Sequence, residues 1–364
     1  MKVLITGGHI TPALAVLDEL KDCDIVIVGR QHALSSDSSD SLEYKEIVSR
    51  NLKFINLDAG RLTRVLSVSS LVNILKIPLG LANAILILKK EKPDVVLTFG
   101  GYIALPIALA AHVLRIPILT HEQTIRPGSA NRLIGKLAKK IFISFPVSKQ
   151  YFPVSKVILS GNPVRKEVSK VINQIKNFKK EKPVLYITGG STGSHDVNSL
   201  IFKILTKLLE KFTVIHQTGS STEYRDFDKT SMFKNENYFP FTHIESNLIG
   251  FVYSQSDLVI SRGGANTVFE LLATKKPSLI IPLPWSAFDE QQKHAEYLRS
   301  LGVAEIFDQS HPSDELLSSI ESMFASLEKY KKNFDTIDQP YGTQNAAKQI
   351  TKEVLETAKN STSS

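Results

Sequence analysis

The strongest constraint on this chain is a repeated pattern: a short, continuous apolar run rich in β-branched residues, then a turn, then a helical stretch. Val3-Leu4-Ile5 runs into Gly7-Gly8, Asp24-Ile25-Val26-Ile27-Val28 into Gly29, and Asp94-Val95-Val96-Leu97-Thr98 into Gly100-Gly101. Ile116-Pro117-Ile118-Leu119 precedes His121-Glu122-Gln123, and Lys140-Ile141-Phe142-Ile143 closes the series. A second series opens with Val184-Leu185-Tyr186-Ile187 before Gly189-Gly190. It continues through Thr213-Val214-Ile215, Asp257-Leu258-Val259-Ile260 and Ser278-Leu279-Ile280-Ile281. Strands apolar on both faces and alternating with helices read as parallel sheets covered on both sides. Two such series predict an α/β protein of two doubly wound domains. Ligands of such sheets sit beyond the carboxyl ends of the strands, where these glycine turns fall.

A length of 364 residues fits two domains. The expected division is 1–161 and 166–340, joined by Gly161-Asn162-Pro163-Val164-Arg165. An amphipathic last helix over 344–359, with Ala347, Ile350, Val354 and Leu355 on one face, is expected to complete the first domain. The lysine-rich stretch 176–182 reads as a solvated connector, and the tail 360–364 as disordered.

The hydrophobic fraction of 42% and charged fraction of 22% are those of an ordinary soluble globular protein. A single cysteine, Cys23, excludes an intrachain disulfide framework and a cysteine-based zinc cluster. The first residues enter a strand directly, with no signal-peptide pattern, so a cytoplasmic protein is expected. Residues 1–166 hold 22 Lys/Arg and 12 Asp/Glu out of totals of 44 and 36, so that half is +10 and the remainder −2. A basic half attracts anionic lipid or phosphorylated ligands. Nucleic acid is not an expected partner, because no nucleic-acid module is present and the basic residues are not interleaved with stacking aromatics.

Residues 71–88 are nearly all apolar but are broken by Asn73, Lys76, Pro78, Gly80 and Asn83. A membrane-crossing helix needs about 20 uninterrupted apolar residues, so none is expected here. Arg61, Arg64, Lys76, Lys89, Lys90 and Lys92 surround the segment. Such a surface could dock on an anionic bilayer, or the segment could be a pair of buried core helices; with the basic half around it, membrane contact is the favoured reading.

For function, the most informative stretch is Ser261-Arg262-Gly263-Gly264-Ala265-Asn266-Thr267-Val268-Phe269-Glu270, which leaves one strand and opens a helix. Glycines there let backbone amides approach a phosphate, and a helix N-terminus adds partial positive charge. Glu270, in the first helical turns, is placed to accept hydrogen bonds from a ribose diol. Gly189-Gly190-Ser191-Thr192-Gly193 is a second such turn, without the lysine of a P-loop or the GxGxxG spacing of a nicotinamide site. Asp289-Glu290-Gln291-Gln292 offers polar groups to a sugar. His9 can accept a proton near neutral pH, or can simply cap a helix. His121-Glu122-Gln123 either braces neighbouring loops or takes part in chemistry. No metal site can be assembled from the residue spacings.

Together these pieces resemble the MurG-type glycosyltransferases. The resemblance rests on Gly7-Gly8-His9 with Pro12, Asp94-Val95-Val96-Leu97 with Gly100-Gly101-Tyr102, and His121-Glu122-Gln123. It continues through Gly161-Asn162-Pro163-Val164-Arg165, Gly189-Gly190-Ser191 with Gly193, Arg262 through Glu270, and Asp289 with Gln291-Gln292, all in family order. It implies the GT-B fold, two Rossmann-like doubly wound domains facing a cleft. It also implies inverting transfer of N-acetylglucosamine from UDP-N-acetylglucosamine to lipid I, without metal or other cofactor, at the inner face of the cytoplasmic membrane. His9 would be the base on the muramyl 4-hydroxyl. Ala265, Asn266, Thr267, Val268, Phe269 and Glu270 would surround the donor diphosphate and ribose, and Ser191 a phosphate. Gln291 and Gln292 would take the sugar, Ile244 the uracil through its backbone, Thr124 and Arg165 would also line the donor site, and Thr6, Gly7 and Gly8 would face the donor or cradle the acceptor's pyrophosphate. The first loop is two or three residues shorter than the family's, and Thr124 stands where the family has asparagine. Related scaffolds leave three alternatives: a UDP-sugar 2-epimerase, another lipid-directed glycosyltransferase, or an inactive nucleotide-sugar binder.

Overall fold

The computed structural model describes residues 1–8, 10–31, 42–57, 68–190, 193–221, 223–337 and 344–362. The chain forms two compact units, Met1–Pro163 with Thr343–Ser364, and Val164–Gly342.

Unit 1 carries β1 (Lys2–Thr6), α1 (Ile10–Leu17), β2 (Asp24–Gly29), α2 (Leu42–Ser49), β3 (Lys53–Asn56), α3 (Val68–Glu91) and β4 (Val95–Thr98). It continues with α4 (Ala104–Val113), β5 (Ile118–Glu122), α5 (Ser129–Leu137), β6 (Lys140–Ile143) and β7 (Val157–Leu159). Its seven strands lie in the order β3-β2-β1-β4-β5-β6-β7, every pair parallel. Alternate residues of β1 feed opposite layers. Val3 and Ile5 join the layer containing α1, while Leu4 joins the layer of α3, α4 and α5. This is the covered-on-both-faces sheet that continuous apolar runs demand.

Unit 2 carries β8 (Val184–Thr188), α6 (His195–Lys211), β9 (Thr213–Gln217), α7 (Asp226–Lys229), β10 (Tyr238–Phe241), α8 (Ser246–Gln255) and β11 (Leu258–Ser261). There follow α9 (Ala265–Thr274), β12 (Ser278–Ile280), α10 (Glu290–Ser300), β13 (Ala304–Ile306), α11 (Ser313–Ala325) and α12 (Leu327–Asn333). The six strands run β10-β9-β8-β11-β12-β13, again all parallel. Leu185, Ile187, Val214, Leu258, Ile260 and Leu279 pack with α6 and α11 on one face. On the other face Tyr186 meets Tyr253 of α8 edge-on, with ring centroids 5.6 Å apart.

The last helix, α13 (Gln344–Thr362), returns to unit 1. Its Ala347, Ile350, Val354 and Ala358 are buried with α1 residues under the sheet. It runs three residues past the expected end, to Thr362, so residues 360–362 are helical rather than disordered tail. The Ser361 hydroxyl lies within bonding distance of the Asp94 and Ala358 carbonyls, at 3.0 and 2.8 Å.

The segment 71–88 lies within the single 24-residue helix α3, with Pro78 inside it, not in a pair of helices. Its C-terminal half is two-faced: Ala84 and Leu88 are fully buried, whereas Leu79 and Leu86 are 64% and 65% exposed. Among the described residues, no helix is long and apolar enough to cross a membrane. Arg61 and Arg64 lie outside the described residues.

Candidate active site

In each sheet the strand order reverses once, between β1 and β4 in unit 1 and between β8 and β11 in unit 2. Connections on either side of such a point leave in opposite directions, opening a crevice at the carboxyl ends of the two central strands. The glycine turns after β1, β4, β8 and β11 lie at these two places, whereas Gly29 is the last residue of β2.

In unit 1, Gly8 (φ 136°) follows β1, and Gly100 and Gly101 (φ 76° and 82°) follow β4. A Cβ on Gly8 would stand 2.6 Å from the Gly100 carbonyl oxygen, so the two turns are close-packed and only glycine fits. Thr6 is fully buried, and the Gly7 amide donates to the Val28 carbonyl at 2.8 Å, so both are built into the sheet. His9 lies outside the described residues.

His121, Glu122 and Gln123, at and just beyond the end of β5, are buried. The Glu122 carboxylate accepts from the Thr124 amide (2.8 Å), the Thr124 hydroxyl (2.7 Å) and the Asn131 amide group (2.8 Å). Burial nevertheless pushes its pKa up. The His121 ring lies 3.3 Å from the Gly161 carbonyl and 3.2 Å from the Ser144 hydroxyl. These groups brace one another, and the Thr124 hydroxyl points at Glu122.

In unit 2, the turn after β8 is stapled by Gln217, the last residue of β9. Its Nε2 donates to the Gly190 carbonyl at 2.8 Å, and its Oε1 accepts the Ile244 amide at 2.9 Å. The Ile244 N–H is therefore committed within the protein. Gly190 and Gly193 have φ of 89° and 80°, and a Cβ on Gly193 would meet the Thr218 carbonyl at 2.3 Å. Ser191 lies outside the described residues.

The turn after β11 is held by Arg262. Its guanidinium donates to the Ser194 hydroxyl (2.8 Å), the Ile281 and Pro282 carbonyls (3.1 and 3.2 Å) and the Gln309 side chain (2.7 Å). Burial lowers its pKa, with Asp196 at 3.3 Å opposing that shift. Four strand-end connections thus meet on one buried cation. Gly263 lets α10 come close: a Cβ there would stand 2.4 Å from the Gln291 carbonyl oxygen. Gln291 Oε1 accepts the Leu283 amide at 3.0 Å, and Gln292 Nε2 donates to Glu296 at 3.0 Å.

α9 begins after Gly264 with no side-chain cap. Asn266 and Thr267 are half-buried, whereas Val268 and Phe269 are fully buried core residues, and the Val268 amide already donates to the Gly264 carbonyl at 3.0 Å. Glu270 pairs with Arg165, Nη2 to Oε1 at 3.0 Å, and accepts the Tyr253 hydroxyl on Oε2 at 3.0 Å. The Glu270 charge raises the Arg165 pKa. Sequence reasoning named Arg165 and Glu270 separately. It passed over Gln217, Tyr253 and the clamping role of Arg262. The one available signal for Gln217 was a polar residue ending an apolar strand.

Two doubly wound parallel-sheet units, with glycine turns at their strand ends and a carboxylate–guanidinium pair whose carboxylate is on α9 of the second, are the architecture of GT-B enzymes that act on nucleotide sugars. Models of the N-terminal and C-terminal domains of glycosyltransferase family 28 match residues 6–143 and 184–354. The UDP-N-acetylglucosamine–N-acetylmuramyl-(pentapeptide) pyrophosphoryl-undecaprenol N-acetylglucosamine transferase of Clostridium botulinum is 32% identical over 96% of this chain and 99% of its own. The crystal structure of Acinetobacter baumannii MurG matches with a TM-score of 0.73 and 25% identity, covering 98% of this chain and 99% of that one. The Neisseria meningitidis UDP-GlcNAc 2-epimerase shares the fold at 18% identity, with a TM-score of 0.66 over 98% of this chain and 100% of that one. The chain belongs to glycosyltransferase family 28, among its MurG-type enzymes.

Proposed function

We propose that the chain transfers N-acetylglucosamine from UDP-N-acetylglucosamine to the 4-hydroxyl of the N-acetylmuramyl group of lipid I, giving lipid II. The observation that carries this reading is the Arg165–Glu270 pair beside the β11 turn, in a chain 32% identical over 96% of its length to a transferase of that name. Glu270 takes the ribose hydroxyls, and the amides opening α9 face the diphosphate. The Gln291 amide nitrogen and the Gln292 side chain serve the sugar. Ser191 takes a phosphate and Ile244, whose N–H is bonded to Gln217, meets the uracil with its carbonyl; Thr6, Gly7, Gly8 and Thr124 are the remaining donor residues.

The reaction is a single displacement. A base removes the proton from the acceptor hydroxyl, that oxygen attacks C1 of the sugar, and the bond from C1 to the diphosphate oxygen breaks with inversion. UDP leaves carrying the electron pair, so the site must stabilise growing negative charge. Helix N-terminal amides and Arg165 supply that stabilisation without a metal ion. His9 is the proposed base. The partly exposed apolar face of α3, beside Lys89, Lys90 and Lys92, supports docking on the inner surface of the membrane, where a polyprenyl acceptor resides.

Incubating the purified protein with UDP-N-acetylglucosamine and a lipid I analogue tests the reading. Sugar transfer to the lipid is expected. Epimerised free donor, transfer only to other lipids, or binding without turnover would each replace it. His9→Ala should slow turnover at least about 100-fold, the usual contribution of a positioned base. A wild-type rate would remove His9 from the mechanism.

A further inference from the structure

Both oxygens of the Glu270 carboxylate are engaged, but by unequal partners. Arg165, on Oε1, has a side chain 27% exposed and reaches the Ser246 hydroxyl only at 3.4 Å. Tyr253, on Oε2, is 2% exposed on α8, and its ring is fixed by the edge-on contact with Tyr186. Burial first, and the neighbouring carboxylate second, raise the Tyr253 pKa well above the ordinary phenol value, so the group stays a donor. Turning away from Glu270 would leave that hydroxyl unsatisfied in the core, a costly alternative. One oxygen of the carboxylate is therefore pinned, whereas the other is held by a long side chain that solvent can reach.

A carboxylate has about four lone-pair positions, and these two partners occupy two of them. The remaining two lie one on each oxygen. We propose that Tyr253 is a positioning residue for donor binding: its hydroxyl fixes the plane of the Glu270 carboxylate so that both oxygens can accept the vicinal hydroxyls of a ribose, with Arg165 as the exchangeable partner. This rests on the reading that Glu270 receives the ribose. A purely structural Tyr253 would weaken every nucleotide alike when altered, whereas a positioning Tyr253 acts only on ligands that carry the diol.

The full-length protein and its Tyr253→Phe variant are compared for competition by UDP and by 2′-deoxy-UDP, together with KM and kcat for UDP-N-acetylglucosamine. The wild type should prefer UDP by on the order of tenfold, the scale of a hydrogen bond to a charged group. Tyr253→Phe should cut that preference to roughly a third or less, with KM rising more than kcat falls. An unchanged preference in a folded variant overturns the inference. If the wild type itself shows no preference, the assignment of ribose to Glu270 fails first and takes this inference with it. If Tyr253→Phe does not fold, 3-fluorotyrosine installed at position 253 keeps the ring and strengthens the donor. It should then shift the UDP preference, and a preference that stays put is equally decisive against the proposal.

Discussion

His216 shows how far a single buried side chain commits this protein to one protonation state. Its Nε2 faces Asn198 Oδ1 at 3.0 Å, and its Nδ1 faces the Tyr238 hydroxyl at 3.1 Å. The Asn198 Nδ2 donates elsewhere, to Thr218 and Asp226, so its oxygen faces the ring and Nε2 must carry the proton. Nδ1 is then the acceptor and the ring is neutral. Burial lowers the His216 pKa to about 3, and burial of His294 lowers that one to about 4. Because the unfolded chain binds these protons near pH 6.5, unit 2 should lose stability as pH falls from 7 toward 5. The loss is about 2 kcal/mol for each histidine. Urea titrations at pH 7 and pH 5 check this, and equal midpoints would refute it. Gln217 invites a second test at this scale. Gln217→Leu removes both arms of the staple between Gly190 and Ile244, and UDP affinity measured by calorimetry should drop about tenfold. The glycines and acidic residues of this site were legible in the sequence because their chemistry is local to a turn. Gln217 and Tyr253 were not, because their partners lie 27 and 17 residues away and nothing in the spacing announces the contact.

At the scale of elements, the interior strands could be read and the edge strands could not. The nine apolar runs correspond to β1, β2, β4, β5 and β6 in one sheet and β8, β9, β11 and β12 in the other. All nine are interior to the strand order. The four that escaped, β3, β7, β10 and β13, are the four edges. Their sequences, Lys-Phe-Ile-Asn, Val-Ile-Leu, Tyr-Phe-Pro-Phe and Ala-Glu-Ile, are short or interrupted, since an edge strand is not buried on every side. Helix α3 was read only in part. Its apolar density was evident, but the interruptions at Asn73, Lys76, Pro78, Gly80 and Asn83 left a pair of helices as an alternative, where the structure has one helix packed against α4. Its exposed leucines carry a prediction. Leu79→Glu with Leu86→Glu should weaken binding to anionic vesicles by roughly a hundredfold or more, since each loses burial worth about 1.5–3 kcal/mol. The melting temperature should hold. A fall in melting temperature with vesicle binding intact would mean that these side chains serve the fold instead.

For the whole molecule, the two units use the same device twice, a parallel sheet whose one reversal gathers glycine turns at the strand ends. What differs is charge: unit 1 holds 23 Lys/Arg and 14 Asp/Glu, or +9, and unit 2 holds 21 and 22, or −1. The basic unit suits an anionic surface, while in the proposed reaction the other unit meets its anionic ligand through main-chain amides, the α9 terminus and Arg165 instead of through net charge. Transfer should therefore persist in excess chelator, with a rate within about twofold of the untreated enzyme, because dipoles and a guanidinium supply what a cation otherwise would. Abolished transfer that magnesium restores would contradict this.

The outer strands have one more consequence. β10 forms a rim of its sheet and carries Pro240, which has no N–H to offer a neighbour. The opposite rim, β13, places Glu305 in a strand of three residues. A second copy of the chain that tried to add itself to either margin would find a missing donor or a charge in place of a regular ladder. The composition that concealed these strands also discourages the sheet from growing into a fibril when the protein is crowded.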